Sequence, residues 1–199
     1  GYDGVEIMGS EGYLINQFLA SHTNKRTDEW GGSAENRRRI AVEIARAIRA
    51  AVGPNFIVMF RLSMADYVEE GQTWDEIVAL AKDLETAGVT IINTDIGWHE
   101  AQVPTTVTSV PRGAFVQFTE RLRDEVSIPL IAANRINTPA TAEMVIAQGY
   151  ADMVSMARPW SKAVTLVVLP KCATTTRASR NFLPISCAAR RATARPFRA

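Results

Sequence analysis

Five side chains able to hold an anion or move a proton recur along a chain of 199 residues: Tyr13, Arg61, His99, Arg135 and Arg158. A phenol and an imidazole both carry transferable protons, which suits general acid work on a ligand held between them. Three guanidinium groups favour an anionic ligand gripped by bidentate contacts, such as a phosphate or an electron-rich ring. Each has an ordinary explanation when taken singly. The arginines would serve as surface ion-pair partners, the histidine as a satisfied neighbour, and the tyrosine would lie beneath a loop. Together they are harder to dismiss, because each follows an almost purely apolar run and always at the same end. Other chemistries find little support. No Ser-His-Asp or Cys-His arrangement is visible, and two histidines without a supporting cluster do not make a metal site.

A series of strands must position these groups. Residues 3–8 read as a short buried strand, with Val5 and Ile7 on one face and Glu6 and Met8 on the other. Gly9 and Gly12 bracket a turn, and Tyr13 stands where the strand gives way to a short apolar helix over 14–19. A polar loop from His22 to Ser33 follows. Ser33 caps a helix in which Ile40, Ile44, Ile48 and Ala51 recur at helical spacing, and Gly53-Pro54 ends it. Its arginines (Arg37, Arg38, Arg39, Arg46, Arg49) are interleaved with Glu35 and Glu43, which reads as a solvated face rather than a nucleic-acid patch.

The second strand, 56–62, is nearly all apolar, as expected where both faces are covered, and Arg61 is its one charge. Thr73 and Glu76 form a capping box ahead of an amphipathic helix carrying Trp74, Ile77, Leu80, Ala81 and Leu84. Residues 89–94 make the third strand and lead into a long loop carrying His99. A helix over 113–126 precedes the fourth strand, 128–133, which ends at Asn134 and Arg135. Thr138-Pro139 starts a further helix closed by Gly149, and the fifth strand, 152–156, is followed by Ala157, Arg158 and Pro159.

Strand–helix repetition without a hairpin signal predicts an all-parallel α/β sheet. An open doubly wound sheet and a barrel both place ligands outside the carboxyl ends of the strands. No G-x-G-x-x-G follows any strand, so the dinucleotide-binding reading loses its main support. The expectation is a partial TIM (β/α)8 barrel, its carboxyl-terminal five strands, spanning 1–160. A phosphorylated cofactor suits that reading, since such barrels often bind phosphate after the seventh and eighth strands.

Composition agrees: 47% apolar and 22% charged residues are ordinary for one globular domain or a piece of one. The net charge of +1 hides an asymmetry. Residues 1–158 hold 21 acidic against 14 basic side chains, and 159–199 hold eight basic and no acidic ones. The irregular basic tail, 161–199, has no sustained periodicity and reads as disordered or as the product of a reading-frame shift, rather than as a nucleic-acid arm. Cys172 and Cys187 suggest neither a disulfide framework nor a cluster motif. No signal peptide is present and the apolar run 163–169 is too short to span a bilayer, so a cytoplasmic protein without membrane or nucleic-acid partners is expected. With no initiator Met and a strand at its start, the chain reads as cut from something longer.

Several motifs carry a resemblance: GYDGVEIMGSEGYLINQFL at the start, N-x-R-T-D-x-W-G-G over 24–32, FRLSM over 60–64, TIINTDIGWHEAQVPT, NRIN over 134–137 and ADMVSMARP over 151–159. With them, residues 1 to 160 resemble the flavin barrel of the old yellow enzyme superfamily. GSEGYL and IGWHEA are most similar to its iron–sulfur branch, the NADPH-dependent 2,4-dienoyl-CoA reductases. The resemblance implies that Tyr13 donates a proton and that His99 assists it and touches substrate. It implies that Arg61 and Arg135 contact the ring and phosphate regions of FMN, and that Ala157 and Arg158 form the phosphate-binding turn.

Glu100, Ala101 and Gln102 would continue the substrate contacts, together with His22. The reductases often carry arginine where Gln102 and His22 stand, which bears on the grip on an acyl-CoA substrate rather than on flavin chemistry. In the full-length family NADPH reduces an FAD, and electrons reach FMN through a 4Fe-4S cluster. None of those further sites is expected in this chain, whose tail lacks the family's C-x-x-C-x-x-x-C cluster. Another iron–sulfur member, an enoate reductase or an amine dehydrogenase, and a catalytically inactive fragment stand as alternatives. The oligomeric state is left open.

Overall fold

The computed structural model describes residues 1–103, 105 and 107–156. Within them the order is β1 (Gly4–Gly9), α1 (Leu14–Leu19), α2 (Ala34–Val52), β2 (Ile57–Ser63), α3 (Trp74–Thr86), β3 (Ile91–Asp95), α4 (Val116–Leu122), β4 (Leu130–Ala132), α5 (Pro139–Ala147) and β5 (Met153–Val154). All pairings are parallel and the sheet order is β1-β2-β3-β4-β5. A doubly wound sheet reverses its strand order at a switch point. Here each strand is added beside the last without reversal, which is how a (β/α) barrel winds, and the architecture is a partial barrel.

The register divides the strands into two faces. Ile7 lies opposite Phe60 and Ile92 opposite Leu130, and these residues, with Val58, Leu62 and Ala132, are buried on the outer face beneath the helices. Ile77, Leu80, Ala81 and Leu84 of α3 and Ala41, Val42 and Ala45 of α2 complete that core. The inner face presents Glu6, Arg61 and Asn93, the last two directly opposite one another. Capping fixes where the helices begin. Ser33 accepts from the Asn36 amide, Thr73 and Glu76 form a reciprocal capping box, and Thr138 accepts from the Thr141 amide with Pro139 opening α5.

The elements depart from the sequence-based expectation in physically legible ways. α4 is shorter than 113–126: Gly113 sits at a φ of 70°, outside the helical region, and the Arg123 and Glu125 amides bond three residues back, closing tighter turns. β3 begins late because the Val89 amide still bonds Leu84 across the turn. α2 buries Ala41, Val42 and Ala45 most deeply, small residues that let it approach the sheet, whereas Ala51 is exposed.

The arginines of α2 are not simply solvated. Arg37 is buried, bonding the carbonyl oxygens of Leu19 and Gly32 and the Glu76 carboxylate. Arg49 donates to the carbonyl oxygens of Gly88 (2.9 Å) and Phe56 (2.9 Å), and Arg38 pairs with Asp83. They brace loops against the barrel wall. No helix among the described residues is long and apolar enough to cross a membrane. The tail beyond residue 160 lies outside the described residues.

Gly9 closes β1 against Phe60, and a Cβ there would run into the Phe60 ring and the Arg61 carbonyl oxygen. Gly9→Ala is expected to destabilise the chain by about 1–3 kcal/mol through overpacking. Phe60→Leu should cost less in that background than in the parent, which a urea-unfolding double-mutant cycle measures.

Candidate active site

A turn at the carboxyl end of β1 sets the position of the phenol. Glu11 and Gly12 take successive left-handed conformations, with φ values of 60° and 78°. Glycine accepts that region freely, whereas Glu11 holds it at a cost of roughly 1–2 kcal/mol. Gly12 is further constrained by Trp98: an added Cβ would lie 2.9 Å from the indole Cε3. Tyr13 then serves as the N-cap of α1 without using its side chain, so the phenol is free and about half exposed.

The imidazole comes from the loop beyond β3. Gly97, at a φ of 80°, turns the chain, and the Gly97 and Trp98 amides donate to the carbonyl oxygens of Ala65 (2.8 Å) and Asp66 (3.0 Å). His99 therefore stands over β1, its Nε2 3.1 Å from the Tyr13 hydroxyl. The two rings meet edge to face, with centroids 5.4 Å apart and planes at 83°.

Carboxylates that strand-end reasoning missed surround this pair. Glu11 Oε2 lies 3.6 Å from His99 Nε2. Burial pushes the Glu11 carboxyl above the ordinary glutamate range, and the neighbouring Asp95 adds to the shift by charge and hydrogen bonding, while Arg61 and His99 pull it back. Asp95 is fully buried and accepts from the Ser10 hydroxyl (2.8 Å) and the Ile96 amide (2.9 Å).

Arg61 lies within β2, two residues short of its end, rather than at the tip of the strand. It reaches across the inner face to both oxygens of Glu6 (3.3 and 3.5 Å) and comes within 3.6 Å of Asp95. Asn93 also donates to Glu6, at 2.6 Å. The signal for Glu6, Asn93 and Asp95 was present in the sequence as polar residues on one face of otherwise apolar strands.

The remaining expected residues are placed unevenly. Arg135 is on the same rim after β4, at a φ of 58°, with its Nε donating to the Val110 carbonyl oxygen at 2.9 Å; no described contact joins it to Tyr13 or His99. His22 sets its ring edge-on to Trp98, centroids 5.6 Å apart. Glu100 and Gln102 are exposed on the turn after His99, and the Ala101 amide bonds back to Trp98. Ala157 and Arg158 lie outside the described residues.

The rim suits a planar, polar, anionic cofactor. Arg61 presents a partly exposed cation on the inner face, beside an Asn93 Oδ1 that is buried without a hydrogen-bond partner among the described residues. Asn134 Oδ1, at the end of β4, is in the same condition. Buried polar atoms left unpaired call for a ligand or water.

A carboxyl whose folded pKa is raised contributes stability that is complete below its unfolded value, 4.5 for glutamate, and lost as pH rises through the higher folded value. Glu11→Gln, permanently neutral, should therefore gain stability relative to the parent across that interval and none below it. Thermal melts of both proteins over a pH series check the sign.

The model of the NADH:flavin oxidoreductase / NADH oxidase family matches residues 1–168. The chain is 44% identical over 158 residues to a metal reductase of Desulforamulus reducens, covering 79% of this chain and 24% of that protein. It is 41% identical over 159 residues to an NADPH dehydrogenase of Geobacillus sp., covering 79% of this chain and 45% of the relative. Among solved structures, a 2-naphthoyl-CoA reductase in complex with 2-naphthoyl-CoA superposes with a TM-score of 0.77 at 37% identity, over 80% of this chain and 24% of that one. The chain thus spans between about a quarter and a half of the length of these relatives.

Proposed function

Because the chain belongs to the NADH:flavin oxidoreductase / NADH oxidase family, we propose that it is part of an FMN-dependent reductase acting on a C=C bond conjugated to a thioester, with 2,4-dienoyl-CoA as substrate and NADPH as the source of electrons. The observation that carries this reading is the Tyr13–His99 pair, 3.1 Å apart on the rim that also holds Arg61. Residues 1–160 form the FMN-binding part, in a cytoplasmic enzyme.

Reduced FMN, when bound, supplies the hydride. The residues of this chain handle everything else. With FMN bound, Arg61 would hold its polar edge, and Arg135, Ala157 and Arg158 would hold its phosphate. Hydride arrival at the far end of the conjugated system leaves an electron pair that must be protonated at carbon, and the Tyr13 hydroxyl donates that proton. His99 Nε2 lies 3.1 Å from the phenol on an exposed ring, so a proton lost from Tyr13 is replaced from solvent by way of the imidazole, with Glu11 3.6 Å away beside it. The edge-to-face contact holds the phenol in one orientation. Any FAD and 4Fe-4S cluster that relay NADPH electrons belong outside this chain.

His22, Glu100, Ala101 and Gln102 line the approach to His99 and contact the acyl chain and its carrier. His22 and Gln102 offer no permanent cation for CoA phosphates, which favours a second reading: an enoate reductase taking a free conjugated carboxylate.

Reconstitution with FMN, chemical reduction of the flavin with excess dithionite and substrate-depletion assays separate these readings. Loss of dienoyl-CoA supports the first, and loss of a simple enoate alone supports the second. Consumption of neither would leave an inactive piece. Tyr13→Phe should lower the active substrate's rate by about 10²–10⁴-fold while leaving FMN binding intact.

A further inference from the structure

Resting on that reading, we infer that Asp66, a buried residue that touches neither partner, is the positioning residue that fixes Tyr13 and His99 against each other. Its placement is unusual for a loop aspartate. It follows β2, the strand lying between β1, which delivers the phenol, and β3, which delivers the imidazole. The residue is 3% exposed, and its carboxylate accepts four donations. Oδ1 takes the Ser63 hydroxyl at 2.6 Å and the Asn16 amide nitrogen at 3.1 Å. Oδ2 takes the Gln72 backbone amide at 2.8 Å and, more weakly, the Gln72 side chain at 3.5 Å.

Two limbs leave this hub. On one side Asn16, fully buried in α1, uses its Oδ1 to accept from the Gly12 amide at 3.0 Å. That bond holds the left-handed Glu11–Gly12 turn, whose conformation costs free energy and needs an external restraint. The turn in turn decides where the Tyr13 hydroxyl and the Glu11 carboxyl point. On the other side the Asp66 carbonyl oxygen accepts from the Trp98 amide at 3.0 Å, one residue before His99. The limbs meet again where Gly12 lies against the Trp98 ring.

The result is a closed circuit from Asp66 through Asn16 and Gly12 to Trp98 and back, made of three hydrogen bonds and one packing contact. The carboxylate suits the hub because it only accepts, and all four groups that reach it, from three residues, donate. An amide in its place would turn an N–H toward at least one donor, leaving a buried clash in a water-excluded site. A shift of about 1 Å in the reacting groups is enough to cost about 10²-fold in rate.

Asp66→Asn in the FMN-loaded protein tests this with two acceptors. Reoxidation of the reduced enzyme by a conjugated enoyl thioester needs a proton placed at carbon, whereas reoxidation by ferricyanide takes electrons alone. Asp66→Asn is expected to slow the thioester reaction about 10–100-fold and to leave the ferricyanide reaction unchanged. Equal slowing of both acceptors, or of neither, overturns the inference.

If Asp66→Asn does not retain FMN, Asn16→Leu cuts only the limb to Tyr13 and keeps the shape of the side chain. The same selective loss supports the inference, and an unchanged thioester rate overturns it. Parent protein that reacts with ferricyanide but not with the thioester would instead remove the proposed function and the inference resting on it. A parent active with both, beside an equally active Asp66→Asn, removes the inference alone.

Discussion

Parallel pairing is the constraint from which the rest follows. Every strand enters the sheet from the same side, so every carboxyl end opens on one rim, and residues far apart in sequence are brought there without any long-range signal. Tyr13 and His99 are separated by 86 residues and yet share a hydrogen bond, because β2 is the only strand between theirs. The outer face makes the arrangement rigid. Phe60, Leu62, Ile92 and Leu130 are sealed beneath α2 and α3, and burial of each such side chain stabilises by about 1.5–3 kcal/mol. Loops anchored to that wall hold side chains that cost stability.

The cost is electrostatic and conformational together. Glu6, Glu11 and Asp95 crowd around one guanidinium, and Glu11 stands in a backbone region that most residues avoid. A protein seldom retains like charges in a half-buried cluster without a use for them, and perturbed carboxyls concentrate where proton transfer is done. The membership of the chain in a flavin oxidoreductase family gives that concentration a chemical meaning.

Much of this was legible in the sequence. The strand–helix rhythm and the Ser33 and Thr73 caps follow from local patterns, since capping and period-two burial are short-range physics, and the parallel order that the rhythm implies brings Tyr13 and His99 together. What was not legible is of another kind. Arg61 was expected at a strand tip and lies inside the barrel, because only the register reveals that Glu6 and Asp95 flank it. Arg37 looked like surface charge and is buried, since its three acceptors come from segments up to 39 residues distant. Asp66 carried no motif of its own; its importance lies wholly in tertiary bonds.

The cluster around Arg61 has a further meaning once charge is allowed to vary. Glu6 and Asp95 already share the Arg61 guanidinium before any guest arrives. A guest on this rim therefore meets a guanidinium whose donors are partly committed, and it shares that cation with two acidic side chains. Glu11, held above the ordinary glutamate range by burial and by Asp95, stands beside the same cluster. Glu11, His99 and Tyr13 thus form one run of polar groups, and a change of charge at any one of them is felt by the other two.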